Sequence, residues 1–128
     1  MERKIIHAEK APAAVGLYSH AVVAGDTVYC SGQIGLIPET GALPEDFESE
    51  VRQSFTNLQN VLAASGASFK DVVKFTLFIT ELDDFARVNA VMGEFVEAPY
   101  PARSCVVVKA LPKNARFEAE AVAVLARS

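Results

Sequence analysis

Only two cysteines and two histidines occur among the 128 residues. Cys30 and Cys105 lie far apart, and neither has a second Cys or a His beside it. No zinc spacing and no redox pair can be built from them. They read as buried, reduced thiols of a cytoplasmic protein. His7 and His20 make a poor metal pair, so no metal or organic cofactor is expected. Clusters of positive charge are missing as well: 12 Lys and Arg stand against 16 Asp and Glu, giving a net charge of -4. Without a basic run the chain lacks the footprint for a phosphate backbone, which argues against nucleic acid as its main ligand. The apolar runs fall far short of a membrane span, and Met1–His7 holds only two apolar residues after its basic pair, too few for a secretory leader. Phosphate-cradling glycine loops, Ser/His/Asp spacing, repeats and linkers are all absent.

What remains is a chain that is 51% hydrophobic and 22% charged, long enough for one domain over residues 1–128 and rich enough in apolar groups to pack a core. Lys4–His7 reads as a short strand, and residues 11–20 as an ordered loop with Pro and Gly. Ala21–Ala24 and Thr27–Ser31, joined by Gly25-Asp26, read as a β-hairpin. From Phe47 to Ser65 the period turns helical: Val51, Phe55, Leu58 and Leu62 share one face, Glu48 and Glu50 occupy the first turn, and Gly66 stops the run.

Val72–Ile79 reads as a buried strand. A second helix, capped by Asp83 or Asp84, is expected to run to about Val96 with Phe85, Val88, Met92 and Phe95 on one face. Arg103–Lys109 and Phe117–Leu125 follow as strands, expected to pair around the 111–115 loop with 105 near 120 and 107 near 118. The order β, ββ, α, β, α, ββ predicts a two-layer α+β domain, a six-stranded mixed sheet with two helices on one face. On the last strand Ala119, Ala121 and Ala123 suit close helix packing. Glu118, Glu120, Val122 and Val124 face the other way, on a surface too apolar to be left in water, so other subunits are expected to cover it.

Arg103 opens an otherwise apolar strand and must find an anion there. Either Glu118 or Glu120 supplies it as a structural ion pair, or a substrate carboxylate does. Glu118 and Glu120, two residues apart, share a face; burial and mutual repulsion raise the pKa of at least one, which suits proton transfer with water. Tyr18 is either a packed loop residue or a hydroxyl aimed at substrate.

Five segments together resemble the RidA/YjgF family of reactive intermediate deaminases. They are Ala11–His20, Ser31-Gly32-Gln33-Ile34-Gly35, Asp83–Asn89, Pro101–Val106 and Phe117–Val124, in order and without large insertions. The resemblance implies a chorismate-mutase-like fold and a homotrimer whose sheets form a central barrel. It implies hydrolysis of 2-aminoacrylate, 2-iminopropionate or 2-iminobutyrate to the 2-keto acid and ammonia, species released by pyridoxal-phosphate-dependent dehydratases. By residue, it implies that Arg103 holds the substrate carboxylate and Glu118 the hydrolytic water. Tyr18, Ser31, Gly32, Asn89 and Cys105 would line the pocket, Cys105 through its backbone, and Glu120 competes for the role of Glu118. Leu17 departs from the pattern, since many members have Pro before the tyrosine. Two rival readings stand beside this one: a regulatory trimer that binds keto acids or amino-acid-like ligands without turnover, and a ribonuclease or translation inhibitor.

Overall fold

Turn chemistry starts the sheet. Gly25 takes φ +62°, the left-handed conformation that a two-residue hairpin loop requires, and folds β2 (Ala21–Ala24) onto β3 (Thr27–Ile34). A computed structural model describes residues 2–126. β1 (Arg3–Ile6) adds to the free edge of β2. Asp46 caps α1 (Phe47–Ala64), its carboxylate accepting the Ser49 N–H at 3.0 Å, and Gly66 at φ +85° ends it. The face predicted for α1 is the buried one: Val51, Phe55, Leu58 and Leu62 are fully inaccessible. β4 (Val72–Ile79), α2 (Phe85–Met92), β5 (Ala102–Val107) and β6 (Phe117–Val124) complete the domain.

The strand order is β1-β2-β3-β6-β4-β5. This is the expected six-stranded mixed sheet, with one correction. β5 and β6 do not form a hairpin. β6 enters between β3 and β4, antiparallel to both, whereas β5 runs parallel to β4 on its outer edge. Phe78 of β4 is paired with Glu118 on one side and Val106 on the other, so β4 separates the two strands expected to touch. The β4–α2–β5 crossover explains the arrangement: parallel neighbours need a long connection, and a helix supplies it.

α2 is also shorter than its periodicity suggests. A 3-10 turn at Leu82–Asp84 precedes it, and Asp84 sits in the helical region without a side-chain cap. Gly93 closes the helix after Met92. Val88, Val91 and Met92 are its buried residues, while Phe85 stays at the surface. Phe95 packs separately, stacked on Phe55 with ring centroids 5.4 Å apart.

Ala119, Ala121 and Ala123 are at most 2% exposed and form the low floor on which the aromatic core rests. Phe55 there meets Phe69, Phe75, Phe95 and Phe117. α1 approaches the end of β3 so closely that a Cβ on Gly35 would collide with the Glu50 backbone carbonyl. Glu50 itself is fully buried, unlike an ordinary first-turn carboxylate. It accepts from the Arg116 backbone N–H at 2.6 Å and the Arg116 Nε at 2.8 Å, tying α1 to the start of β6.

Leaving a buried carboxylate without its cation is far costlier than losing a pair in water. Arg116→Ala is expected to lower unfolding free energy by about 3 kcal/mol in urea denaturation, the lower end of the usual range because the backbone N–H still serves Glu50. Arg52→Ala breaks the exposed Arg52–Glu94 pair and should leave the midpoint nearly in place.

Candidate functional site

The parallel placement of β5 sets Arg103 opposite Phe75 and turns it towards the helix layer, on the same face as Cys105. Its guanidinium is gripped by α2. Arg103 Nη1 donates to Asn89 Oδ1 at 2.6 Å and lies 3.6 Å from Met92 Sδ, while Cζ stands 5.2 Å from the centre of the Phe85 ring. Among the described residues no carboxylate is in ion-pair reach of Arg103. The intramolecular pair with Glu118 or Glu120, open in the sequence, is therefore not formed. A cavity of about 370 Å³ opens beside the guanidinium, lined by Asn89, Met92, Gly93, Val96, Tyr100, Pro101 and Arg103. A planar cation held by neutral neighbours keeps its remaining donors for an anion that arrives in that space.

Glu118 and Glu120 do share a face, the sheet face away from the helices. The register shift in β3 between Cys30 and Gln33 lifts Ser31 and Gly32 out of the ladder. The Glu118 carboxyl rests against Gly32 so closely that any Cβ at position 32 would overlap it. Burial holds this carboxyl above the usual carboxylate range, and the like charge of Glu120 pushes it the same way.

Ser31 belongs to the same group, with its hydroxyl donating to the Ser19 carbonyl at 2.6 Å and its N–H donating to His20 O. That bond fixes the loop carrying Tyr18, whose half-exposed ring folds back over Gly16. His20 anchors the loop from beneath: Ala8 N–H donates to its Nδ1 at 2.8 Å, so the proton sits on Nε2 and donates to Pro12 O at 2.7 Å.

The expected site residues thus fall into two groups. Arg103 and Asn89 come together, with Cys105 beside them on the strand. Ser31, Gly32, Glu118 and the Tyr18 loop come together elsewhere. Two strand spacings and three residues of rise place the Arg103 and Glu118 Cα atoms roughly 14 Å apart, on opposite faces. Cys105 faces the core and is only partly buried. Burial raises its thiol pKa, partly offset by Arg103. Cys30 is pushed up to about 12 by burial. Both thiols are free and neither is activated.

Sequence reasoning missed Phe85, Met92 and Tyr100 around Arg103, and His20 under the loop. Phe85 and Met92 carry a helical spacing that is identical for core and site residues. His20 gives no signal, because its partners are backbone groups. Among the described residues no group of three His, Cys, Asp or Glu could hold a metal ion, and no helix is long and apolar enough to cross a membrane.

The profile of the endoribonuclease L-PSP family matches residues 8–125. The 2-iminobutanoate/2-iminopropanoate deaminase of Dermatophagoides farinae is 47% identical over 96% of this chain and 97% of its own. The crystal structure of RidA from the Antarctic bacterium Psychrobacter sp. PAMC 21119 superposes with a TM-score of 0.93 at 47% identity, covering 95% of this chain and 99% of that one. Escherichia coli TdcF, crystallised with bound serine, gives a TM-score of 0.91 at 44% identity, covering 98% and 99%.

Because burial and, after it, the like charge of Glu120 both raise the pKa of Glu118, its carboxyl followed by 13C NMR should titrate above an ordinary glutamate. Glu120→Gln should move that midpoint downward.

Proposed function

The chain belongs to the RidA/YjgF family, and from that premise we propose that it hydrolyses reactive 2-imino acids to 2-keto acids and ammonia at a site shared between two copies of the chain. The observation that carries the mechanism is the Arg103 guanidinium, held by Asn89 and Phe85, unpaired with any carboxylate among the described residues, and open to a cavity. The enzyme is a 2-iminobutanoate/2-iminopropanoate deaminase, as its relatives' names indicate.

Arg103 binds the carboxylate of the planar imine through two charge-assisted hydrogen bonds and so fixes C2. Water adds to C2 as Glu118 takes one of its protons. The imine nitrogen, protonated, becomes the amine of a carbinolamine. Glu118 returns the proton to that amine, the C2–N bond breaks as the keto C=O forms, and the hydroxyl proton passes through Glu118 to the departing ammonia. One water enters and one ammonia departs, with no change of oxidation state. Such imines already hydrolyse in water, so orientation and one proton relay suffice. Gly32 is required because a side chain there would occupy the place of the Glu118 carboxyl. Ser31 and Tyr18 wall the same end, and Cys105 lies beside Arg103 along the strand.

Within one chain the two groups lie too far apart, and on opposite faces, to act on a single small acid. A neighbouring copy laid against the apolar open face, where Tyr29, Val106 and Val124 are 43–53% exposed, brings its own Glu118 group to this Arg103. A homotrimer with the open faces turned inward satisfies both needs, burying that face and completing three sites. The substrates are those that pyridoxal-phosphate-dependent dehydratases release, and the cytoplasm is where the protein would meet them.

The decisive assay couples a serine or threonine dehydratase to keto acid formation, with and without this protein. Acceleration is expected; keto acid binding without acceleration would make the chain a ligand-binding regulator instead. RNA cleavage that survives Arg103→Ala would support the ribonuclease reading, against which the net charge of -4 counts.

Arg103→Ala should lower kcat/KM by about 10²–10³ while leaving the oligomer intact on sedimentation. Glu118→Ala should slow turnover more than Glu120→Ala. Since Glu118 must be ionised to accept a proton and its pKa is raised, activity should fall as pH drops through a midpoint above the ordinary carboxylate range. That acid limb should vanish in Glu118→Gln. Coexpressed Arg103→Ala and Glu118→Ala chains, each inactive alone, should recover about a quarter of wild-type activity. In a randomly mixed trimer one site in four would pair an intact Arg103 with an intact Glu118. No recovery would place the site within one chain.

A further inference from the structure

His20 is a buried imidazole to which the proposed reaction gives no task. It is 3% exposed, and backbone groups engage both ring nitrogens. Ala8 N–H donates to Nδ1 at 2.8 Å, and Nε2 donates to Pro12 O at 2.7 Å. The ring thus ties the segment leaving β1 and the start of the 11–20 loop to the residue just before β2. Its backbone carries the tie onward. Ser31 N–H donates to His20 O at 3.0 Å, and the Ser31 hydroxyl donates to Ser19 O at 2.6 Å. Ser31 and Gly32 stand in the β3 register shift, outside the pairing with β6, so these two bonds take the place of ladder bonds there. The Glu118 carboxyl rests against Gly32. One continuous set of contacts therefore runs from the imidazole to the seat of Glu118.

Resting on the deaminase reading above, we propose that His20 is a positioning residue for Glu118, holding the Ser31-Gly32 bulge against that carboxyl through the Ser19 and His20 carbonyls. The ring does so with its proton on Nε2, because Nδ1 must accept from Ala8. His7 is the titratable side chain in ring contact with it, edge-on at 5.8 Å. Leucine at position 20 would fill the space but leave the Ala8 N–H and the Pro12 carbonyl unpaired, which frees the loop to shift. Glutamine would restore one acceptor and one donor on a side chain of similar reach. Glu118 reports the difference. Burial raises its pKa first and the charge of Glu120 second, so a loosened seat admits water and lowers its midpoint. The other groups able to carry charge on adjoining elements are Lys74 on β4 and Tyr29 on β3, both opposite Val122, and Tyr18 on the loop itself.

The test uses the full-length protein, with 2-iminopropanoate generated in place from alanine by an L-amino acid oxidase. kcat/KM is followed across pH, and the Glu118 carboxyl is titrated in parallel by 13C NMR. In His20→Leu, kcat/KM near neutral pH should fall about tenfold or more. The acid limb and the NMR midpoint should both move down by about half a pH unit or more. His20→Gln should bring the rate back to within about threefold of wild type and the midpoint to its wild-type place. Partial loss of fold would lower the rate without moving the midpoint of the molecules that remain folded, so the midpoint separates positioning from stability. Should His20→Leu not fold, His20→Asn keeps the acceptor for Ala8, cannot reach Pro12, and should shift the midpoint in the same direction. An unchanged midpoint in these variants, or a His20→Gln protein as impaired as His20→Leu, overturns the positioning role while the deaminase reading stands. No acceleration of imine hydrolysis by the wild-type protein removes the deaminase reading itself, and the NMR midpoints then still decide whether His20 seats Glu118.

Discussion

The insertion of β6 between β3 and β4 is the constraint from which the rest of the molecule follows. It is possible because the buried face of β6, beyond Phe117, carries only the methyl groups of Ala119, Ala121 and Ala123, all essentially inaccessible. Larger residues there would lift α1 off the sheet and open voids around Phe55, whose ring meets four other phenylalanines. The Glu50–Arg116 tie fastens the helix to the entry of the same strand, using a carboxylate that has no access to water. α1, the alanine floor and β6 therefore act as one unit.

That insertion also decides where the candidate site residues lie. Placed centrally, β6 carries Glu118 against the β3 bulge, where Gly32 leaves room for its carboxyl. β4 then separates it from β5 and Arg103. Glu118 and Arg103, to which the proposed mechanism gives the proton relay and the carboxylate, consequently occupy different faces of one sheet. Association of chains is a natural remedy, since the open face is also the apolar one. In the proposed trimer, the same surface that would be a liability for an isolated domain becomes the means of completing the site.

The two charged centres are tuned by opposite means. Arg103 is kept ready by neutral partners: an amide oxygen, an aromatic face and a thioether satisfy it without neutralising it. Glu118 is kept protonatable by burial and by the nearby Glu120. Both cysteines are pushed away from thiolate chemistry by burial. The loop bearing Tyr18 is held by the least conspicuous group, the neutral His20 ring, through two backbone partners.

The sequence by itself determined what local periodicity and turn chemistry determine. The α1 face of Val51, Phe55, Leu58 and Leu62, the Gly25 hairpin, the β4 limits and the split of β6 into methyl and carboxylate faces were all legible, because each depends on neighbours within a few residues. The family was legible too, through the five segments that resemble it. Only the tertiary structure decided which strands are adjacent. Parity along a strand fixes the face of a side chain but says nothing of the strand's neighbours, and Ala102–Val107 could pair with either β4 or β6 on composition alone. The crossover through α2 settled that choice. With it came the separation of Arg103 from Glu118, the surface position of Phe85 beside the guanidinium, and the cavity that opens past Met92 and Tyr100.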